Sequence, residues 1–384
     1  MMNWWHDRRV RGVAFQAALV LAVVIGFGLI ANNALTNLGQ QNIATGFGFL
    51  DETAGFGVNQ SLISYSEQDS YGRVFVVGLL NTLIVSVIGI ALATVLGFVI
   101  GVARLSTNWL VAQLAGAYVE LIRNVPLLLQ IFFWYFGVLK QLPHPRDSLT
   151  PFEGFYLNIR GLSFPRPLFE EPFVWVALAL MAGLAGWLFV RRRAKQDFLA
   201  TGQVKRLWPY SWGLLVALPL AVFAATGAPL DFDMPRATRF NITGGIRIIP
   251  EMVALILALS IYTAAFIAEI VRAGILSVPK GQTEAARALG FKPGTILRLV
   301  VIPQAMRVII PPLTSQYLNL AKNSSLAVAI AYPDLVSVFA GTALNQTGQA
   351  LEIIAMTMAV YLLISLSTSF GMNLYNTRVA RHGG

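Results

Sequence analysis

Uncharged runs of about twenty residues recur along the chain, separated by polar segments. They lie at about 13–31, 75–103, 117–139, 173–190, 209–228, 250–272, 299–320 and 350–371. Each is long enough to cross the roughly 30 Å hydrocarbon core of a bilayer as a helix. Val74 to Ala103 carries no charge over thirty residues, and Ile353 to Thr377 none over twenty-five. The pattern predicts an all-α polytopic membrane bundle of about eight transmembrane helices. Periodicity adds little, because lipid-facing helices are apolar all round. The first run follows Arg8, Arg9 and Arg11, but its core of about 19 residues exceeds the roughly 7 to 15 of a secretory signal, so it is expected to be a retained helix.

Charge placement orients these spans. Lys and Arg accumulate in cytoplasmic segments. They cluster at Arg8, Arg9 and Arg11; at Arg191, Arg192, Arg193, Lys195, Lys205 and Arg206; at Arg272, Lys280, Arg287, Lys292 and Arg298; and at Arg378 and Arg381. All four groups face inward if both termini are cytoplasmic. Residues 32–73 fit the opposite side, with Asp51, Glu52, Glu67 and Asp69 against Arg73 alone.

Composition agrees. Of 384 residues, 56% are apolar and 12% charged, half the roughly 25% charge of a soluble domain. The net charge of +10 is read as topology rather than as a nucleic-acid surface. Zero cysteines exclude disulfides and thiolate metal sites, and His6, His144 and His382 stand in three separate polar segments. Residues 141–172 hold Pro143, Pro145, Pro151, Pro165, Pro167 and Pro172 and read as an extracytoplasmic loop rather than a folded domain. No lysine is followed by Ser or Thr, so the phosphate-cradling nucleotide motif is absent.

Between the sixth and seventh runs lies Ser277-Val-Pro-Lys-Gly-Gln-Thr-Glu284-Ala285-Ala286-Arg287-Ala288-Leu289-Gly290, followed by Phe291-Lys292-Pro293. Pro279 near its start, Gly290 at its end and Pro293 beyond punctuate a short helix. Such a helix is too short to be stable alone and must dock on something.

Glu284-Ala285-Ala286, Gly290, nine further residues, then Val300, Ile302 and Pro303 resemble the cytoplasmic signature of permease subunits of bacterial binding-protein-dependent ABC importers. Gly78-Leu-Leu-Asn81-Thr82, Arg123-Asn124-Val-Pro126-Leu-Leu-Leu-Gln130, Tyr262 to Gly274 and Lys322-Asn323-Ser324-Ser325-Leu326 narrow the resemblance to the polar amino-acid branch, which carries histidine, glutamine, glutamate and arginine. The added spans within 141–245 resemble the Q-type permease of general L-amino-acid importers.

The resemblance implies a type I ABC importer permease fold in the bacterial inner membrane. Residues 1–73 form a tail, first span and periplasmic segment; 74–375 form the permease domain with an insertion at 141–245; 376–384 form a cytoplasmic tail. Glu284, Ala285, Ala286, Arg287, Gly290 and Pro303 are the expected elements of ATPase coupling. The implied partners are a second, homologous permease, two ATPase subunits, a periplasmic amino-acid-binding protein, an L-amino-acid substrate and the lipid bilayer. ATP and Mg belong to the ATPase partner; this chain is expected to bind no cofactor or metal and to catalyse no reaction.

A charge inside hydrocarbon costs at least about 2.5 to 3.5 kcal/mol, so each one needs a reason. Glu269 lies eighteen residues after Glu251, roughly 27 Å along a helix, toward the inner half, with Arg272 one turn on. Two readings stay open: a local ion pair, or a carboxylate facing the translocation cavity and taking a substrate's ammonium group. Lys322, Asn323, Ser324 and Ser325 interrupt an apolar stretch before Pro333; they read either as a substrate-binding helix break or as an outer loop with a snorkelling lysine. Asn81, Thr82 and Gln130 are candidates to line the pathway or to bond between helices. Glu120 and Arg123 read as a gate-side pair, and Pro126 as a kink.

Two rival functions make different demands on the chain. An ion-coupled secondary transporter or channel would work alone in liposomes. A membrane enzyme would need a paired acid and base or metal ligands, and Glu269 has no His or second carboxylate near it in sequence.

Overall fold

The computed structural model describes residues 8–40, 45–202, 206–238 and 241–381. His6, Lys205 and His382 lie outside the described residues. The chain divides into two compact units, one of residues 1–137 with 251–384 and one of residues 138–250. The insertion expected at 141–245 falls inside the second.

In the first unit, α1 spans Arg8–Gln40, α2 Tyr71–Ala103, α3 Trp109–Asn124, and α4 begins at Leu127. After the second unit come α7 (Pro250–Leu276), α8 (Lys280–Ala288), α9 (Pro293–Ile330), α10 (residues 336–347) and α11 (Ala350–Arg381). Among the described residues, seven helices are long and apolar enough to cross a membrane, or eight if α3 and α4 count as one. That pair is bent by 105°, so the third predicted span is a broken helix, not a kinked one. Pro126 is the cause: it cannot donate to the turn before it and forces Val125 out of helical geometry (ψ 126°).

α7 is the central helix of this unit, with 56% of its apolar window buried, against 28% for α2 and 0% for α1. Its small residues explain why. Gly97 and Gly101, one turn apart on α2, meet Ala264, Ile267, Ala268 and Val271 of α7, and backbones approach closely only where side chains are small. A second cluster packs Phe49 and Ala54 on Tyr71 and Val74 of α2, Leu335, Val338 and Phe339, and Ile353 and Val360 of α11.

In the second unit, α4 ends at Gln141, and α5 (Phe173–Thr201) and α6 (Trp208–Ala225) form a hairpin. Gly183 of α5 lies against the Leu214 carbonyl. Residues 141–172 are not the plain loop that their prolines suggest. With residues 229–248 they make seven short strands: β1 (Tyr156–Asn158), β2 (Gly161–Phe164), β3 (Arg166–Phe169), β4 (Leu230–Asp233), β5 (Arg236–Ala237), β6 (Ile242–Thr243) and β7 (Ile246–Ile248). They pair antiparallel as β1-β2-β7, β3-β4 and β5-β6. Pro167 is tolerated because β3 has one partner only, leaving an edge where no N–H is needed. Gly161 is obligatory: its φ is +118°, and a Cβ there would sit 2.0 Å from the Ile248 carbonyl oxygen.

Candidate functional site

α8 starts after Pro279 and ends in a left-handed turn. The Leu289 N–H donates to the Ala285 carbonyl at 3.1 Å and the Phe291 N–H to the Ala286 carbonyl at 3.2 Å, with Gly290 at φ +78° between them. Nothing would crowd a Cβ at Gly290, so the requirement there is backbone conformation, not space. Ala286 is buried, whereas Glu284, Ala285, Arg287, Leu289 and Gly290 are exposed, Leu289 by 76%. The helix thus lays one small residue on its own chain and presents a carboxylate, a guanidinium, a methyl and an isobutyl group outward. Downstream, α9 widens into a π turn at Leu297–Val301 just before half-buried Pro303, the relief a helix takes where a proline withholds its N–H.

Glu269 is held from two sides. Its carboxylate pairs with Arg104, at the C-terminus of α2, and with Arg272 at 2.5 Å on its own helix. Both its oxygens meet guanidinium groups, so the expected local pair is in fact a three-residue clamp across two helices. Arg104 went unnoticed in the sequence because it ends its run and looks like an ordinary flank. The signal available was depth: Glu269 and Arg104 both close a span at the same membrane face. At the other end of α7, the Tyr135 hydroxyl donates to Glu251 at 2.6 Å.

The remaining polar candidates sit at helix breaks. Gln130 Nε2 donates to the Ile122 and Val125 carbonyls at 2.9 and 3.0 Å, groups left unpaired by the break at Pro126. Asn81 Nδ2 donates to the Gln60 and Pro333 carbonyls at 2.7 and 2.8 Å, and the Thr82 hydroxyl accepts from the Leu335 N–H at 3.0 Å. Ser324 is buried and opens the tightly wound last turns of α9, Ser324–Ile330, after which Ala331 turns left-handed at φ 56°. Lys322 is exposed, Asn323 half-buried, and Ser325 bonds the Lys322 carbonyl at 2.7 Å. Arg123 is exposed and stacks over Phe266 at 5.0 Å; Glu120 is exposed.

The structure brings Asn81, Thr82 and Ser324 together around three residues that the sequence did not single out: Tyr332, Asp334 and Tyr361. The Tyr332 hydroxyl donates to the Asn81 carbonyl at 3.2 Å, and the Tyr361 hydroxyl lies among Thr82, Ser324 and Asp334. Asp334, in the connection between α9 and α10, is fully buried and accepts from the Ser337 N–H at 2.8 Å. Burial pushes its carboxyl up to about 7, against the partial relief of backbone N–H groups. Among the described residues, no three His, Cys, Asp or Glu side chains converge to hold a metal.

The sequence pattern of the binding-protein-dependent transport system inner membrane component family matches residues 93–381, three-quarters of the chain. The chain belongs to this family. It is therefore a multi-pass permease of the inner membrane with a type I importer fold that is mostly helical, the seven short strands of the second unit being the departure from an all-α bundle. Its relatives extend beyond the family core. It is 55% identical to the putative amino-acid ABC transporter permease protein YhdX of Escherichia coli K12, over 97% of this chain and 94% of that one. It is 52% identical to the general L-amino acid transport system permease protein AapQ of Rhizobium johnstonii, over 98% and 94%. Among solved structures, it is similar to an amino acid ABC transporter crystallised with histidines, at 21% identity and TM-score 0.48 over 80% of this chain and 95% of that one.

Proposed function

We propose that this permease imports polar L-amino acids of broad range, as one half of a transmembrane pair. The carrying observation is α8: an exposed helix whose outward face bears Glu284, Ala285, Arg287 and Leu289 and whose end is set by Gly290. In this reading both termini and α8 are cytoplasmic, a separate ATPase subunit grips α8 on each permease, and ATP with Mg is used in those partners only. A homologous second permease completes the pathway, and a periplasmic binding protein delivers substrate. The substrate range is carried over from AapQ and from the glutamate/glutamine/aspartate/asparagine permease BztB of Rhodobacter capsulatus, 42% identical over 97% of this chain and 95% of that one.

Force on α8 would pass along α9, whose π turn and Pro303 make a compliant joint, and across to α7, where Arg104 and Arg272 hold Glu269. Alternating access then follows from rocking of the helices that this clamp ties together. Lys322 and Asn323, at the loosened end of α9, are assigned to the substrate side. Asn81, Thr82, Ser324 and Gln130 are assigned to holding the pathway's broken helices in shape.

Co-expression of the four subunit types in vesicles tests the reading. Glu284→Lys and Gly290→Leu should leave insertion and expression intact and reduce ATP-dependent amino-acid uptake by at least tenfold, the loss of about 1.4 kcal/mol of coupling. Wild-type uptake in both variants, or uptake by this chain alone driven by an ion gradient, would refute it.

A further inference from the structure

The second unit carries a feature that the transport reading leaves unused. α5 is apolar from Phe173 to Val190 and then runs on as Arg191-Arg192-Arg193-Ala194-Lys195 before ending at Thr201. Eighteen residues at 1.5 Å each span roughly 27 Å, close to one hydrocarbon core, so the three arginines stand at headgroup depth. α6 re-enters with Trp208, Tyr210 and Trp212, the aromatic types that settle at that depth. The Trp187 indole N–H donates to the Ser211 hydroxyl at 2.9 Å and ties the two helices together at the start of this zone.

Between the helix ends opens a cleft of about 510 Å³ lined by Leu188, Arg191, Arg192, Lys195, Phe198 and Leu207. A second cleft, about 430 Å³, lies beside Arg193 and Tyr210. The guanidinium of Arg191 lies over the Trp187 ring at 5.2 Å and that of Arg193 over Phe189 at 4.7 Å. Both rings sit one turn nearer the apolar run, so these cations fold back toward the bilayer instead of reaching away from it. Asp197 lines the second cleft beside Arg193, whereas the lining of the first holds Arg191, Arg192 and Lys195 and no carboxylate.

We infer that this basic end of the α5–α6 hairpin binds an anionic phospholipid, its phosphate held by Arg191 and Arg192 and its acyl chains against Leu188, Phe198 and Leu207. Apolar lining, headgroup depth and positive charge in one cleft match that ligand. A soluble acidic partner would have no use for the apolar floor or the inward fold of the guanidinium groups.

The test uses the whole chain, purified in detergent and delipidated. Phosphatidylglycerol should raise its melting temperature more than phosphatidylcholine does, and Arg191→Gln with Arg192→Gln should weaken phosphatidylglycerol binding about thirtyfold. Equal stabilisation by the two lipids, or equal phosphatidylglycerol binding by the variant, overturns the site. So does displacement of the lipid by millimolar inorganic phosphate, which would mark a free-anion site. Loss of ATPase co-purification with unchanged lipid binding would instead mark a protein interface and overturn it equally. Because charge removal can disturb insertion, a photoreactive side chain at Phe198 in the otherwise native chain gives an independent reading. In mixed vesicles it should capture phosphatidylglycerol beyond its share of the lipid, and capture in simple proportion to composition refutes the site.

Discussion

Gln130 and Asn81 both spend side-chain amides on backbone carbonyls: Gln130 on Ile122 and Val125, freed where Pro126 breaks a helix, and Asn81 on Pro333, just past the end of α9, and on Gln60 in the segment before α2. An unpaired carbonyl at membrane depth costs several kcal/mol, which explains why amides occupy otherwise apolar surroundings. Asp334 is a different case, a fully buried carboxyl that accepts from backbone N–H groups, Ser337's at 2.8 Å among them. Its pKa rises from 3.8 to about 7 on folding, so between those values the native state binds more protons than the unfolded one. Stability contributed by the protonated carboxyl is therefore present at low pH and falls as pH rises across that window. The groups facing it are the Tyr332 and Tyr361 hydroxyls, with Thr82 and Ser324 beside them. Asp334→Asn should remove this arm: comparing melting temperatures from pH 5 to 8, wild type should lose ground to the variant as pH increases. A gap that stays constant would contradict the assignment. Pro126 was legible in the sequence as a kink because proline acts locally, whereas the full 105° break was not. Asp334 was not, since its burial comes from Asn81 and Tyr361, which are distant in the chain.

At the scale of elements, the apolar runs announced the helices, and the punctuation of Pro279, Gly290 and Pro293 announced α8. Both signals are local. Pairs such as Leu162 with Ile248 and Pro167 with Phe232 were missed because they join residues separated by the whole α5–α6 hairpin; β1–β2 and β5–β6 pair locally, but their strands of two to four residues are too short to show an alternating pattern among so many prolines. The α2–α7 seam is an intermediate case: Gly97 and Gly101 lie on one face of a helix, but what they meet is set by packing. A Cβ on Gly101 would sit 2.7 Å from the Ala268 carbonyl oxygen and 2.8 Å from Val271 Cβ. Gly101→Ala should therefore destabilise the protein by about 1–3 kcal/mol, the usual cost of overpacking. Gly116→Ala on α3, where nothing lies within 4 Å, should be neutral or stabilising by up to about 1 kcal/mol. Thermal unfolding in detergent separates the two, and equal effects would mean the seam is looser than its distances imply.

For the whole molecule, the account depends on α8 being the place where an external ATPase takes hold. The sequence supplied the motif and the charge asymmetry from which its side is proposed; the structure supplies the exposed face of α8, and the proposed route runs through Pro303 and α9 toward the clamp at Glu269. Zero native cysteines make a direct measurement clean. A single cysteine at Leu289, 76% exposed, should resist a membrane-impermeant maleimide in intact cells, react in inverted vesicles, and become protected when the ATPase subunits are present. Labelling in intact cells, or reactivity in inverted vesicles that the ATPase leaves unchanged, would contradict the account.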